Sequence, residues 1–461
     1  MAIKGAFILP HPPLIIPDVG KGQEQTIKNT TNSFMYTAEQ ISGLAPDTII
    51  IISPHSALYS DYFHISPGQQ AHGDFRRFGA GNIRISADYD PVFAAALADR
   101  ASKEGLNAGS LGEKDPGLDY GVTIPLFFIN KCYTDYRLVR IGLSCLPYAD
   151  HYRLGMSIEK TCRDLGRQAV IIASGDLSHK LRHDGPYGFA PEGAEFDKRA
   201  TAAISNGDFL ELMSIEPALA EKAAECGLRS FIVMAGSLDA KAVNAKLLSY
   251  EGPFGVGYAA ASFIPEGGDN SRRYLESHFM NEKMKMQKIK NNEDEYTRLA
   301  RYALETWMLT HKRPSLPQIV PKEMLENRAG VFVSLKKHGT MRGCIGTVSP
   351  VTDNIAEEIM HNTLDAALCD SRFDPVAKSE IDDLIYSVDI LTPPELVNSI
   401  RELDPRRYGV IVTHGAKRGL LLPLLDGIDS VEQQVSIALK KADIDPDENY
   451  RVERFEVARH I

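Results

Sequence analysis

Three histidines of the sequence each follow an apolar, β-branched run, close to the point where the run ends. They are His11 after GAFIL, His55 after TIIIIS and His179 after AVIIAS. A carboxylate, Glu251, similarly begins the loop EGPFGVGY after an apolar run. Ligand sites in open α/β sheets gather at the carboxyl ends of strands, so these side chains can converge although they are far apart in the sequence.

Two histidines and one carboxylate with vacant coordination positions form the facial triad of non-haem Fe(II) oxygenases, and such a set leaves one histidine for proton transfer. Imidazole suits that second task because its unperturbed pKa is roughly 6.5. Each residue also has a structural interpretation, because a histidine after a strand can be a cap or a surface residue. Glu251 can be a turn carboxylate, and Asp176 can be a turn residue or can orient His179. The pattern alone leaves these alternatives open.

Short apolar runs and helical patterns alternate through the first part of the chain. The runs at 5–9, 48–53, 138–143 and 169–174 predict strands buried on both faces, and the patterns at 91–103 and 152–166 predict covering helices. We therefore predict an α/β domain with a mostly buried sheet flanked by helices. The later part has strand-like pieces at 331–336, 385–391 and 409–412, with helical patterns near 296–309, 352–368 and 431–441. It predicts a smaller α+β domain.

The segment between these parts lacks a strong apolar face. It opens with Gly-Gly-Asp-Asn-Ser and becomes rich in Lys, Asn and Glu, which is typical of a linker. We predict a first domain at 1–265, a linker at 266–291 and a second domain at 292–461. Asn292 and Glu295 have the spacing of a capping box at the first helix of the second domain.

Composition excludes several classes of protein. The 461 residues carry 51 Lys and Arg against 61 Asp and Glu, a net charge of −10, and there is no long basic run for a nucleic acid. Six cysteines without a CxxC pair indicate reduced thiols rather than a disulfide framework, and no stretch approaches the ~18 apolar residues of a membrane span. We expect a cytoplasmic homo-oligomer that binds neither nucleic acid nor membrane.

The motifs ILPHPP, ISPHS, SGDLSH and YEGPFGVGY together resemble the class III, LigB-type extradiol dioxygenases, and more closely their Memo-like relatives, over about residues 1–265. The resemblance implies Fe(II) bound by His11, His55 and Glu251, with a catechol-like aromatic and O2 as substrates. It also implies that His179 transfers protons beside the metal, and Asp176, three positions before it, is the candidate to orient it.

One motif departs from that family pattern. Many relatives carry a histidine in a motif resembling LDHG, where this chain has Leu118-Asp119-Tyr120-Gly121. Tyr120 is therefore a third candidate catalytic residue, and its presence can change the substrate or the reaction.

The second domain contains MRGCIGT, DSRFDPV and SVDILTPPE, and it resembles the AMMECR family over nearly its whole length. We expect Arg342, Cys344 and Arg372 to line a groove in which the arginines read a carboxylate or phosphate. The structural alternative is that Cys344 is a small buried side chain and Arg342 an ion-pair partner. The fusion suggests a shared pathway with a radical SAM partner.

The sequence is compatible with three functions. The leading one is an Fe(II)-dependent extradiol ring-cleavage dioxygenase fused to an AMMECR domain. The second is a metal-binding Memo-like protein without ring cleavage that acts in redox regulation or partner binding. The third is a metal enzyme of the same fold that does not use O2.

Overall fold

A computed structural model of the chain describes residues 1–425 and 427–461. The chain divides into two units, Met1–Asn281 and Glu282–Ile461. Within the described ranges, no helix combines the length and apolar character needed to cross a membrane.

The first unit alternates strands and helices. Its strands are β1 (Ile3–Leu9), β2 (Thr48–Ser53), β3 (Phe63–His64), β4 (Gln70–Phe75), β5 (Ala80–Asp88), β6 (Ala108–Gly109), β7 (Arg137–Gly142), β8 (Ala169–Ser174), β9 (Lys241–Glu251) and β10 (Tyr258–Gly268). Its helices are α1 (Pro17–Gly20), α2 (Lys28–Leu44), α3 (Pro91–Lys103), α4 (Tyr120–Ile129), α5 (Tyr148–Asp164), α6 (Pro191–Asn206), α7 (Phe209–Ser214), α8 (Pro217–Ala223) and α9 (Leu228–Ser237). A further helix, α10 (Tyr274–Asn292), crosses the boundary between the units.

A six-stranded sheet in the order β7-β2-β8-β1-β10-β9 forms the centre of this unit. The strands β7, β2, β8 and β1 run parallel, whereas β10 and β9 pair antiparallel at one side. Because Leu9 of β1 lies beside Ser174 of β8, and β2 lies on the other side of β8, these three strands end at the same edge. The loops that follow them therefore leave the sheet together, as the sequence predicts.

Both faces of the central strands are buried. Ile50 and Ile52 of β2 point into one apolar cluster, and the alternating Ile49 and Ile51 point into another. The first cluster is covered by α3 and α5 to α9, and the second by α2, α4 and the β4–β5 hairpin. Continuous β-branched runs are typical of strands in this position, and the predicted α/β fold class is confirmed.

The helices α5 and α9 cross with their backbones in direct contact. A methyl group added at Gly155 of α5 would overlap the carbonyl oxygen of Val233, and one added at Gly236 of α9 would overlap that of Tyr152. The absence of side chains at these two positions lets α9 approach the sheet closely. This contact matters for the site, because the loop that precedes α9 reaches the ends of the central strands.

The second unit is a smaller α+β fold, also as predicted. Its strands are β11 (Gly330–Lys337), β12 (Thr340–Thr347), β13 (Leu384–Leu391), β14 (Glu395–Leu396), β15 (Gly409–His414), β16 (Lys417–Leu421), β17 (Arg451–Phe455) and β18 (Val457–His460). Its helices are α11 (Glu295–Thr310), α12 (Lys322–Glu326), α13 (Ile355–Leu368) and α14 (Val431–Ala442). The strands form two antiparallel sheets, β12-β11-β13-β18 and β14-β17-β15-β16. Helices α11 and α13 pack on the first sheet and α14 on the second.

The segment predicted as a linker is more regular than expected. Strand β10 continues to Gly268, and α10 occupies most of the remainder without burying any residue. The predicted capping box at Asn292 is wrong. Asp294 is the N-cap of α11, because its carboxylate accepts hydrogen bonds from the Tyr296 and Thr297 N–H groups.

We expect Gly155→Ala to lower the free energy of unfolding of the first unit by about 1–3 kcal/mol, because the added methyl forces α5 and α9 apart. Gly43→Ala in α2 is the matched control. It has open space around its position and should raise stability by about 0.5–1 kcal/mol. Hydrogen exchange of peptides from α5 and α9 measures the difference, and equal protection in both variants would contradict the close helix contact.

Candidate functional site

His11 and His55 face each other at the carboxyl edge of the central sheet. Their Nε2 atoms are 2.9 Å apart, and the rings meet edge to face with centroids 4.6 Å apart. On its other side His11 Nδ1 lies 2.9 Å from Ser174 Oγ, at the end of β8. The Nδ1 of His55 lies 3.3 Å from the hydroxyl oxygen of Tyr120. The structure thus brings together the first two predicted ligands.

His11 is buried and His55 is exposed as a residue, yet local desolvation keeps both imidazoles neutral near pH 7. Desolvation lowers the pKa of His11 to about 3 and that of His55 to about 4, and in each case a neighbouring histidine lowers the pKa further. The 3.7 Å approach of His11 Nε2 to Asp176 Oδ2 is therefore not an ion pair at neutral pH. Neutral imidazole is the form that binds a metal.

A residue that the sequence reasoning missed, Cys226, completes the group. Its Sγ lies 3.5 Å from His11 Nε2, and the donor atoms of His11, His55 and Cys226 all lie within 4.8 Å of one another. The loop that carries Cys226 packs directly on the loop after β8, because a Cβ at Gly175 would overlap the backbone of Gly227. In the sequence, Cys226 stands directly before Gly227, which precedes α9, and this position is the signal that could have pointed to it.

Asp176 lies between His11 and His179. One carboxylate oxygen, Oδ1, accepts the His11 backbone N–H at 2.8 Å, and Oδ2 lies 4.0 Å from His179 Nε2. Burial raises the pKa of Asp176 to about 6, against the lowering effect of His179. Asp176, His179 and Cys226 form a second possible ligand group, which shares the Cys226 sulfur atom with the first group.

Tyr120 lies against the histidine pair. Its ring stacks on His55 with centroids 4.1 Å apart and meets His11 edge to face at 5.3 Å. The neighbouring Asp119 fixes this end of α4, because its carboxylate accepts hydrogen bonds from Ser53 Oγ at 2.6 Å and Ser56 Oγ at 2.7 Å. Ser53 and Ser56 flank His55, so their hydrogen bonds to Asp119 position both His55 and Tyr120.

Glu251 belongs to neither ligand group among the described residues, although the sequence assigns it as the third ligand. Its Oε2 accepts hydrogen bonds from the backbone N–H and the hydroxyl of Thr30, both at 2.7 Å. Thr30 lies in the first turn of α2, where the N-cap residue Ile27 has no side chain able to cap. The carboxylate thus satisfies a free N–H at a helix N-terminus, where negative charge is stabilised.

The donor set of His11, His55 and Cys226 fits a divalent transition metal. When each Nδ1–H donates to its neighbour, the two Nε2 lone pairs face each other and repel unless a cation or a shared proton lies between them. Such outer hydrogen bonds to ligating histidines are typical of metal sites. Imidazole and thiolate donors suit Zn, Fe, Cu and Ni rather than Mg or Ca.

The second-domain residues are held by acidic partners. Arg342 donates from Nε and Nη2 to Glu380 at 3.0 and 2.9 Å. Arg372 donates to Asp370, which also accepts the Cys344 backbone N–H at 2.9 Å. These contacts match the ion-pair interpretation of Arg342, and a role for the three residues in a binding groove stays a prediction.

Two known families match the chain, one over each of its two units. The family described as the catalytic LigB subunit of aromatic ring-opening dioxygenase matches residues 5–261, and the chain belongs to this family. The AMMECR1 family matches residues 297–460, so the chain is a fusion of the two.

Two relatives and one solved structure are similar to this chain over different lengths. Protein CA_C1420 of Clostridium acetobutylicum is 42% identical over 468 residues, which cover 100% of this chain and 99% of the relative. A protein of Thermotoga maritima is 46% identical over 170 residues, covering 36% of this chain and 98% of its own length. The crystal structure of the uncharacterized protein PH0010 from Pyrococcus horikoshii is 34% identical with a TM-score of 0.34, covering 36% of this chain and 88% of that one.

We expect Glu251→Ala to destabilise the start of α2 by about 1–2 kcal/mol, because the Thr30 N–H in the first turn loses the carboxylate that accepts its hydrogen bond. Hydrogen exchange of peptides from α2 should speed up accordingly. The control is Glu39→Ala, at an exposed position of the same helix, which should change little. Unchanged exchange in Glu251→Ala would contradict the capping role.

Proposed function

We propose that the first domain is a metal-dependent oxidoreductase that opens the ring of a small catechol-like aromatic with O2, and that Fe(II) is its native ion. The observation that carries this proposal is the convergence of His11 and His55 Nε2 with the Sγ of Cys226 at the ends of the central strands. The family description, an aromatic ring-opening dioxygenase subunit, points to the same class of reaction.

The proposed ligand set is two neutral imidazoles and a thiolate rather than two imidazoles and Glu251. A bound Fe(II) would supply coordination positions at which a catecholate and O2 come together. The protein positions the donors before the ion arrives, because Ser174 and Tyr120 hold the outer nitrogens of the two rings.

His179 is the proposed proton-transfer group. Among the described residues its buried Nδ1 has no hydrogen-bond partner, so this nitrogen is free to take a proton from a substrate hydroxyl and to return it. The Asp176 carboxylate lies on the opposite side of the ring, near Nε2, and stabilises the imidazolium that forms. Tyr120 packs on His55 and excludes water from that side of the site.

Metal titration tests the ligand set. We expect the wild-type chain to bind one divalent ion and to release about one proton at neutral pH, because burial raises the pKa of the Cys226 thiol and the thiolate is the ligand. Affinity should therefore rise as pH rises. Calorimetric titration in buffers of different ionisation enthalpy measures both quantities.

The matched variants for this titration are Cys226→Ser and Glu251→Gln. Cys226→Ser should lose the proton release and bind the ion at least tenfold more weakly, whereas Glu251→Gln should retain both properties. The reverse result, with metal lost only in Glu251→Gln, would restore the carboxylate as the ligand.

Turnover tests the role of His179. On an accepted catechol, His179→Ala should lower turnover by about 10²- to 10⁴-fold while the metal stays bound, because it removes the acid/base group. His183→Ala is the control, since His183 is an exposed histidine four positions further along the same segment. Unchanged turnover in His179→Ala would remove this residue from the reaction.

A second candidate is a metal-binding protein without ring cleavage, acting in redox regulation or partner binding. The presence of Cys226 favours it, because a thiolate replaces the carboxylate of the facial triad. Oxygen uptake separates the candidates: a metal-loaded chain that consumes no O2 with any of a panel of catechols supports the second.

A further inference from the structure

The proposed role of His179 needs access to an atom that the structure encloses. Among the described residues, the buried His179 Nδ1 has no hydrogen-bond partner, and 15% of the side chain is exposed. A substrate hydroxyl exchanges a proton with this nitrogen only when the two heavy atoms come within about 2.6–3.2 Å of each other. Part of the cover over His179 must therefore move before a substrate reaches it.

Tyr187 is an aromatic side chain that packs on His179. Its ring meets the imidazole edge to face, with centroids 5.1 Å apart and an angle of 85° between the planes. Tyr187 is nevertheless 60% exposed, so little of its surface is held by burial. Its contact with His179 opens at low cost, because a single edge-to-face contact is weak compared with the burial of a whole side chain.

The loop that carries Tyr187 is anchored at its two ends. Leu181 and Phe189 form an antiparallel bridge, and the Ala190 N–H donates to the Lys180 carbonyl oxygen at 3.0 Å. Most residues between these anchors are exposed. A surface loop whose ends are pinned together in this way moves without disturbing the sheet below it.

Two glycines flank the tip of this loop, residues 185–188. Gly188 has a φ of +75°, which favours glycine, and nothing lies within 4 Å of a Cβ built there. Its N–H donates to the Gly185 carbonyl oxygen at 3.2 Å, so the tip closes on itself as a turn. Gly185 lies so close to Gly255 that an added Cβ would be 3.2 Å from the Gly255 Cα. Small residues at both ends of a short segment are typical of the hinges of a lid.

We propose that residues 185–188 form a lid over His179, and that Tyr187 is the side chain that holds the lid closed. The inference rests on the proposed function, because proton transfer at Nδ1 is what requires the lid to open. In the closed position Tyr187 shields the imidazole from solvent. In the open position its ring leaves His179, and a catechol can approach. Tyr187 is thus a positioning residue that acts through His179.

Chemical labelling of His179 tests the lid without metal or substrate. Diethyl pyrocarbonate acylates the unprotonated histidine nitrogens that it can reach, and fragmentation mass spectrometry of the full chain reads the extent at each residue. The labelling rate at His179 is divided by that at His72, an exposed histidine of the first unit. We expect Tyr187→Ala to raise this ratio about three- to tenfold, since the loss of an aromatic pair shifts an equilibrium by about this factor.

Two variants control for the ring and for the loop. Tyr187→Phe should keep the wild-type ratio, because the edge of a phenyl ring makes the same contact. Phe189→Ala should also keep it, since Phe189 is an exposed aromatic residue beside the lid whose ring packs on His183 with centroids 4.4 Å apart. Thermal unfolding of the first unit should be alike in all three variants, because Tyr187 and Phe189 are exposed.

A second series adds Fe(II) and 4-methylcatechol under argon. The bound ligand should slow the labelling of His179 in the wild type, because the lid closes over it, and should protect His179 less in Tyr187→Ala. Equal protection in the two chains would contradict closure over the ligand and overturn the inference.

Failure of the lid and failure of the proposed function give different results. If the metal-free wild type and Tyr187→Ala have the same labelling ratio, or if Phe189→Ala raises the ratio as much as Tyr187→Ala does, the inference is wrong while the proposed function stands. If none of a panel of catechols binds the metal-loaded chain, the proposed function fails, whereas a raised ratio in Tyr187→Ala alone still supports the lid.

Discussion

The burial of both faces of β1, β2 and β8 is the constraint on which the site depends. Strands covered on two sides have no place for a polar side chain except at their ends, so chemistry is confined to the edge where the strands stop. The same burial shields the His11 imidazole from water, whereas His55 is exposed as a residue. Local desolvation holds His11 and His55 in the neutral form, in which imidazole is able to bind a metal.

Much of the first unit could be predicted because its signal is local. The run TIIIIS matches β2 residue for residue, and AVIIAS matches β8, since a continuous β-branched run leaves few alternatives to a buried strand. His11 follows β1 and His55 follows β2, and because these parallel strands end at the same edge of the sheet, the two histidines can meet there. In the structure, the Nε2 atoms of His11 and His55 lie at hydrogen-bonding distance.

The third donor could not be found in this way, because long-range contacts decide it. Cys226 reaches the site through the contact between Gly175 and Gly227, which no periodicity reveals. Glu251 has a suitable residue type and lies at the end of β9, yet its carboxylate binds Thr30, which lies 221 positions earlier in the chain. In the second unit, the sequence allows an ion-pair role for Arg342, but only the folded chain shows that Glu380 is its partner.

An ion bound by His11, His55 and Cys226, as proposed, would couple folding to metal binding, because these donors are far apart in the sequence. Segments after β1 and β2 and before α9 must all be in place before the sulfur and the two nitrogens meet, so an ion that uses all three binds only the folded unit. Each tenfold excess of free ion over its dissociation constant then adds about 1.4 kcal/mol to folding. With the proposed ion, sheet assembly and ion binding would form one equilibrium, and a substitution that loosens the sheet far from the edge would also weaken the apparent affinity for the ion.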